Sequence, residues 1–387
     1  MADHSAIEWT DATWNPLRGC ARVSDGCRNC YAEKVAARFS GPGMPYEGLI
    51  HPSAKGWNGQ VRLVPELLRQ PWDWVKPRRI FVNSMSDLFH ESVPFEFIAA
   101  VFWIMSCTTR HTYQVLTKRP ARMLEFFEWV KDYADGYFDD DRITDIADEV
   151  PAIKALDWKP ATARRGGYDN CGPLWPYENV WIGVSVEDQK TADERIPLLL
   201  KCPAAVRWLS CEPLLGPTNI LGHLMGGRQP GQCANCGQGH GFTRCPNYGG
   251  IATTHYAYEG GPILCDKFRR KDFAIDWVVT GGESGAGARP MHPDWARALR
   301  DQCARAGVPF FFKQWGEFSL EYDRDRDDPD YRRCGDMSRL PGRWINAAGG
   351  HGFHGDRVHY AHQVGKKKAG RLLDGQEHNA YPEVADG

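Results

Sequence analysis

Short apolar runs that each end in a polar residue recur along this chain, and their alternation with helical patterns restricts the fold more than any other feature. The runs cover residues 79–87, 113–118, 180–187, 206–212, 276–283 and 308–314. Near-continuous apolar character, as in Trp277-Val278-Val279, suits strands buried on both faces of a parallel sheet. Helical patterns at 95–107, 120–130, 190–200 and 292–306 separate them, the last with Pro293 where a helix can begin. Such alternation implies βαβ units with right-handed crossovers. A further strand around 12–15 completes a set of six or seven parallel strands. The expected fold class is α/β, a partial or modified (β/α) barrel of six to seven parallel strands; a doubly wound open sheet uses the same units and stays open as the alternative. In either architecture the functional face lies at the C-terminal strand ends.

Two gaps exceed ordinary βα spacing and read as insertions, about 131–178 and about 217–272, the second cysteine-rich. The barrel domain is then expected over 1–342, with a polar C-terminal extension over 343–387 that carries His351, His354, His359 and His362. A hydrophobic share of 42% with 25% charged residues is that of a soluble globular protein. No apolar run has transmembrane length, and the N-terminus lacks a signal-peptide pattern, so the cytoplasm is the expected location and no membrane is an expected partner. A net charge of −2 gives no support for indiscriminate nucleic-acid binding while leaving room for a local basic groove. Fifteen tryptophans are expected mainly in core and helix–sheet packing.

In a cytoplasmic chain, thirteen cysteines argue against a disulfide framework, and seven of them fall into two compact groups. The first is Cys20, Cys27 and Cys30, spaced C-x6-C-x2-C in a loop rich in Gly and Pro that runs into a helical pattern. Three converging thiolates without a fourth ligand nearby describe a 4Fe-4S cluster with one iron open to chemistry. Zinc is the first alternative, although a structural zinc takes four ligands and only His4 and His51 offer themselves. Inert thiols are the second. The other group is Cys233, Cys236, Cys245 and Cys265, with His240 and His255 between them. It reads as structural zinc, an auxiliary iron–sulfur cluster or free thiols. Cys107, Cys171, Cys202, Cys211, Cys303 and Cys334 are scattered and read as structural, with Cys211 notable for adjoining Glu212.

Charged and amide residues finish most of the strands: Asp87, Lys118, Arg119, Glu187, Glu212, Glu283, Lys313 and Gln314. A charge ending a buried strand is costly unless it is paired or faces a cavity. Any single one is explained by a solvated strand terminus, but their recurrence points to a shared polar pocket fit for a zwitterion. Glu187, Glu212 and Lys313 are the catalytic candidates. Ser84, Asp87, Ser185, Gly281, Gly282 and Glu283 are the candidates for binding a cofactor. The glycines of Gly281-Gly282-Glu283-Ser284-Gly285 let backbone approach a ligand closely, though a plain tight turn reads the same way. Period-two alternation places Gly183, Ser185 and Glu187 on one face of their strand.

Trp14-Asn15-Pro16, Gly19-Cys20, Gly26-Cys27 and Cys30-Tyr31-Ala32-Glu33 resemble the phage Gp37/Gp68 family (DUF5131), a group with a radical S-adenosylmethionine-like core. Residues 81–89, 116–120, 181–187, 209–214, 280–285 and 312–316 extend the resemblance over most of the chain. It implies a TIM barrel-like fold and an iron–sulfur, metal-binding enzyme. In such an enzyme the open iron would chelate S-adenosylmethionine, and an electron donor would trigger release of a 5′-deoxyadenosyl radical for hydrogen abstraction. The common radical motif is C-x3-C-x2-C, whereas this loop is longer between its first two cysteines, and its aromatic, Tyr31, follows the last one. A Gly-Gly-Glu segment in such enzymes holds the methionyl amino group near the second strand; here it falls on a much later strand, and 84–87 takes the early position. Resemblance to spore photoproduct lyase adds nucleic-acid repair or modification as a substrate class, beside peptides and small molecules. The alternative from another class is a non-catalytic, zinc-stabilised nucleic-acid-binding phage protein.

Overall fold

In the computed structural model the described residues are 5–53, 56–133, 143, 146–147, 150–151, 176–225, 274–321, 342–349 and 358–383. They divide into two compact units, 1–185 with 197–205, and 186–196 with 206–387. The protein is α/β with seven parallel strands, four in the first unit and three in the second, in agreement with the expected partial barrel. Among the described residues no helix is long and apolar enough to cross a membrane.

The first unit contains β1 (Ala12–Trp14), β2 (Leu17–Arg18), β3 (Arg62–Leu63), β4 (Arg79–Val82), β5 (Thr112–Thr117) and β6 (Val180–Ser185). β1, β4, β5 and β6 lie side by side in that order and all run parallel, while β2 and β3 form a short antiparallel ladder. Every residue of β6 is buried, as expected of a strand covered on both faces. Helix Phe95–Cys107 follows β4 and helix Pro120–Tyr133 follows β5. The first of these is apolar nearly all round and buries Phe97 through Ser106, the pattern of a core helix. Phe102 stacks on Phe126 at 5.4 Å, joining the two helices. The apolar run expected at 79–87 stops at Val82 because Asn83 turns left-handed, with φ +60°.

The second unit contains β7 (Val206–Cys211), β8 (Trp277–Gly281), β9 (Phe310–Gln314), β10 (Phe318–Glu321), β11 (Gly342–Asn346) and β12 (Val358–Gln363). β7, β8 and β9 are parallel neighbours. Helix Pro293–Ala306 joins β8 to β9, with His292 as its N-cap and left-handed Gly307 ending it. Trp208, Trp277 and Tyr381 form a ring stack with spacings of 5.3 and 5.2 Å. Near the C-terminus, the Phe312 N–H donates to the His378 carbonyl and the Ala380 N–H to Phe310, so these residues cover backbone of β9 that would otherwise be open.

Residues 343–387, expected as a polar extension, supply nearly all of β11 and all of β12, which form an antiparallel sheet of order β10-β12-β11. Its core is Ala288, Phe318, Ile345 and Ala361. β12 is polar in sequence, yet His359, Tyr360 and Ala361 are buried, and His359 finds a partner there. The Asp294 N–H donates to His292 Nδ1, which leaves the His292 proton on Nε2, 3.0 Å from His359 Nδ1. Most of both insertions, and with them Cys171, Cys233, Cys236, Cys245 and Cys265, lie outside the described residues, as do Cys334, His351 and His354.

Two glycines are required where β8 and β9 end. A Cβ on Gly282 would overlap the Trp315 carbonyl, and one on Gly316, at φ +83°, would overlap the Glu283 carbonyl. Gly282→Ala and Gly316→Ala are each expected to cost about 2–4 kcal/mol in urea denaturation, against about 1 kcal/mol for Gly59→Ala, whose φ is also positive but whose surroundings are open.

Candidate functional site

The three-cysteine loop belongs to the first unit and follows β1 and β2. A single 3-10 turn, Asp25–Cys27, sets Cys27, and Cys30 is the N-cap of helix Tyr31–Arg38. The Cys30 N–H donates to the Cys27 carbonyl at 3.3 Å, which closes the turn between the last two thiols. That helix buries Ala32, Glu33 and Ala36, and Met85 packs against this face. The Glu33 carboxylate is held by the Arg22 guanidinium at 2.8 and 2.5 Å and accepts the Trp57 N–H, so the stretch between Cys20 and Cys27 is clamped to the helix.

All three thiols are free and half-buried. Cys30 lies within electrostatic reach of both Cys20 and Cys27. Burial pushes the Cys20 thiol up to about 12, Asp87 adds to the effect, and Arg119 pulls the other way. Burial likewise raises Cys30 against the pull of the Glu33 and Ala32 backbone amides. Among the described residues no three His, Cys, Asp or Glu side chains are gathered at metal-ligating distance.

Arg119, just beyond β5, ties this loop to the sheet. Its guanidinium is buried and donates to Asp87 Oδ2 at 3.0 Å, to Glu91 at 3.0 and 3.1 Å, to the Ala21 carbonyl at 3.0 Å and to Cys20 Sγ at 3.8 Å. Asp87 is equally committed. Its Oδ1 accepts from Thr117 Oγ1 and the Phe89 N–H, and its Oδ2 from the Lys118 N–H as well as Arg119. The loop after β4 is also stitched to the cysteine segment: Asn15 Oδ1 accepts from Ser84 Oγ and the Met85 N–H, Ser86 Oγ donates to the Leu17 carbonyl, and the Tyr31 hydroxyl donates to the Ser84 carbonyl.

Two buried residues in this loop leave polar atoms without a partner among the described residues. Asn83, 3% exposed, leaves both its amide nitrogen and its carbonyl oxygen unbonded. His90 accepts the Ser92 N–H at Nδ1, so its proton sits on Nε2, and that nitrogen meets no acceptor. Burial, then Arg119, holds His90 below the ordinary imidazole range, so the ring is neutral at pH 7. Unsatisfied buried groups are rare because each costs about 1–3 kcal/mol. A cluster on three thiolates and a small zwitterionic ligand beside it fit this donor set: thiols without a fourth protein ligand, a guanidinium N–H directed at one sulfur, and an uncommitted carboxamide and imidazole N–H in the adjoining loop.

The second unit pairs each of its candidate acids with a cation. Arg195 Nη1 holds both oxygens of Glu187 at 3.2 and 3.1 Å, and Arg289 holds both oxygens of Glu283 at 2.8 and 2.9 Å. Lys313 Nζ lies 3.0 Å from Glu212 Oε1, and the carboxylate also accepts from Ser210 Oγ. A Cβ on Gly281 would stand 2.7 Å from that same Glu212 oxygen, so the glycine makes room for the pair. The Gly285 N–H donates to the Glu317 carboxylate at 2.8 Å. Gln314 likewise bridges backbone, donating to the Gly282 carbonyl and accepting the Gly316 N–H. Cys211 is buried, and burial raises its thiol well above the ordinary value, with Cys303, Glu212 and Glu187 adding to it. Ser185 is buried at the end of β6, while Ser84 and Asp87 stand beside the cysteine loop. Sequence reasoning does not single out Asn15, Asn83, His90 or the Arg22–Glu33 clamp, because neutral polar residues and an internal ion pair give no signal of strand-end charge.

Fold and site together define an α/β protein with a three-cysteine loop beyond its first parallel strand. The chain belongs to the family described as Protein of unknown function (DUF5131), which matches residues 4–382. No curated protein and no solved structure matches it.

Removing the cation at position 119 leaves Asp87 buried and uncompensated. Arg119→Met is expected to cost about 3–5 kcal/mol in urea denaturation, and the double variant Asp87→Asn/Arg119→Met to recover about 2 kcal/mol or more of the summed single losses. Additive losses would show that the two side chains do not act as a pair.

Proposed function

We propose that the protein is a radical S-adenosylmethionine-like iron–sulfur enzyme of the cytoplasm. Cys20, Cys27 and Cys30 would hold a 4Fe-4S cluster and leave one iron open. The observation that carries this reading is the cysteine loop itself: three thiols on one short loop, with Cys30 in electrostatic reach of the other two and Cys20 receiving a guanidinium N–H, beside a loop with an unpartnered Asn83. The likeness to the phage Gp37/Gp68 family supports it. Held by Cys20, Cys27 and Cys30, such a cluster would supply single-electron reduction of S-adenosylmethionine, the chemistry that hydrogen abstraction would draw on.

Each protein group then has a task. Asp87 holds Arg119 so that its N–H stays directed at Cys20 Sγ, where a hydrogen bond to sulfur tunes the electron affinity of the site. Asn83 offers an acceptor and a donor to the polar groups of the ligand, and His90 a further N–H. In the second unit Glu212 and Lys313 are the acid–base candidates, since Glu187 and Glu283 are each locked by an arginine. Nucleic acid is the proposed substrate class, for repair or modification, with an external electron donor as partner.

Anaerobically reconstituted protein, given dithionite and S-adenosylmethionine, is expected to form 5′-deoxyadenosine measurable by liquid chromatography and mass spectrometry. Cys20→Ala, Cys27→Ala and Cys30→Ala are each expected to abolish it. Iron-replete protein that never forms 5′-deoxyadenosine would overturn the reading.

A further inference from the structure

We infer that the surface formed by the cysteine loop and helix Tyr31–Arg38 docks single-stranded nucleic acid, a step that names the binding face for the substrate class proposed above and rests on that reading. Among the described residues six large hydrophobic side chains are strongly exposed, and four of them, Val23, Tyr31, Phe39 and Met44, fall in one stretch of this unit. Exposed apolar side chains scattered singly need no explanation, but four of the six within residues 23–44, the stretch that holds Cys27 and Cys30, do. Two of the four are aromatic and about half exposed, Tyr31 at 48% and Phe39 at 49%. The Tyr31 hydroxyl donates to the Ser84 carbonyl, which anchors one end of a ring that is about half exposed.

Charge supplies the complement. Residues 18–62 hold seven Lys or Arg against three Asp or Glu, a local +4 in a chain whose net charge is −2. Much of that charge is committed: Arg22 to Glu33, Arg18 to the Pro45 carbonyl and Arg62 to the Glu47 carbonyl. Arg28 and Arg38 differ. Both are exposed, and neither makes a side-chain hydrogen bond or ion pair among the described residues. Tyr31, Lys34 and Arg38 recur at helical spacing on the face opposite buried Ala32, Glu33 and Ala36. Cations alternating with exposed rings match a polyanion whose bases are free to stack, which is a single strand rather than a duplex. An acidic peptide would meet the same cations but has no planar bases for Tyr31 and Phe39.

Fluorescence anisotropy with a labelled mixed-sequence single-stranded 20-mer tests this, in parallel with the duplex of the same sequence and with polyglutamate. Arg28→Glu/Arg38→Glu is expected to weaken single-strand binding by about ten-fold or more and to flatten the log–log salt slope by about 1.4, the effect of two lost phosphate contacts. Tyr31→Ala is expected to weaken binding by about ten-fold at every salt concentration, while Tyr31→Phe, which keeps the ring, binds as the parent does. Unchanged thermal melting and iron content show that each variant is folded and loaded. Folded variants that bind the oligonucleotide as the parent does would overturn the inference. So would polyglutamate or duplex binding as tight as the single strand with the same dependence on these residues. Because binding is read without reductant, intact docking alongside failed 5′-deoxyadenosine formation would sink the catalytic reading alone.

Discussion

A guanidinium with almost no exposed surface organises the first unit. Arg119 could not be buried without acceptors on several sides, and it has them: Asp87, Glu91, a backbone carbonyl and the Cys20 sulfur. Desolvating such a pair costs several kcal/mol per ion, so its value lies less in net stability than in the geometry it enforces. Asp87 sits in the loop after β4, Arg119 follows β5, and Ala21 and Cys20 belong to the loop beyond β1. One ion pair therefore sets the relative positions of three strand ends, and the cysteine loop inherits its place from them.

The same low-dielectric setting shapes the thiols. Burial raises Cys20 and Cys30, so both remain protonated until a cation replaces their protons. Binding of iron or zinc would then release protons and become linked to the folding of the loop. Arg22 and Arg119 border this loop, while the Asp87 and Glu33 carboxylates beside it are each neutralised by an arginine. Asn83 adds a second tension, a left-handed residue with an unbonded carboxamide in a buried place. Each unsatisfied buried group of this kind carries a cost of about 1–3 kcal/mol in the folded chain.

Much of the architecture was legible in the chain because burial on both faces leaves continuous apolar runs. Helix Phe95–Cys107 was readable from its ends, and Pro293 marked the start of the helix that joins β8 to β9. β12 was not readable, since Val358-His359-Tyr360-Ala361-His362-Gln363 looks like a polar tail until His359 meets His292 across a long sequence separation. The site was legible in part. Three cysteines on one loop announce themselves, and Asp87 and Arg119 stood out as strand-end charges. Sequence spacing does not disclose that those two charges serve each other, or that Glu187 and Glu283 are each closed by an arginine. Asn83 carried no charge to draw notice, and only its buried, unpartnered amide marks it.

The account stands most directly on what Cys20, Cys27 and Cys30 bind. Iron, sulfide and zinc analysis of protein purified without oxygen, joined to EPR of the reduced protein with and without S-adenosylmethionine, decides it. The account predicts about four irons and four sulfides per chain and a spectrum that changes when S-adenosylmethionine is added, as an open iron requires. Zinc alone, with no iron retained after reconstitution, would contradict it.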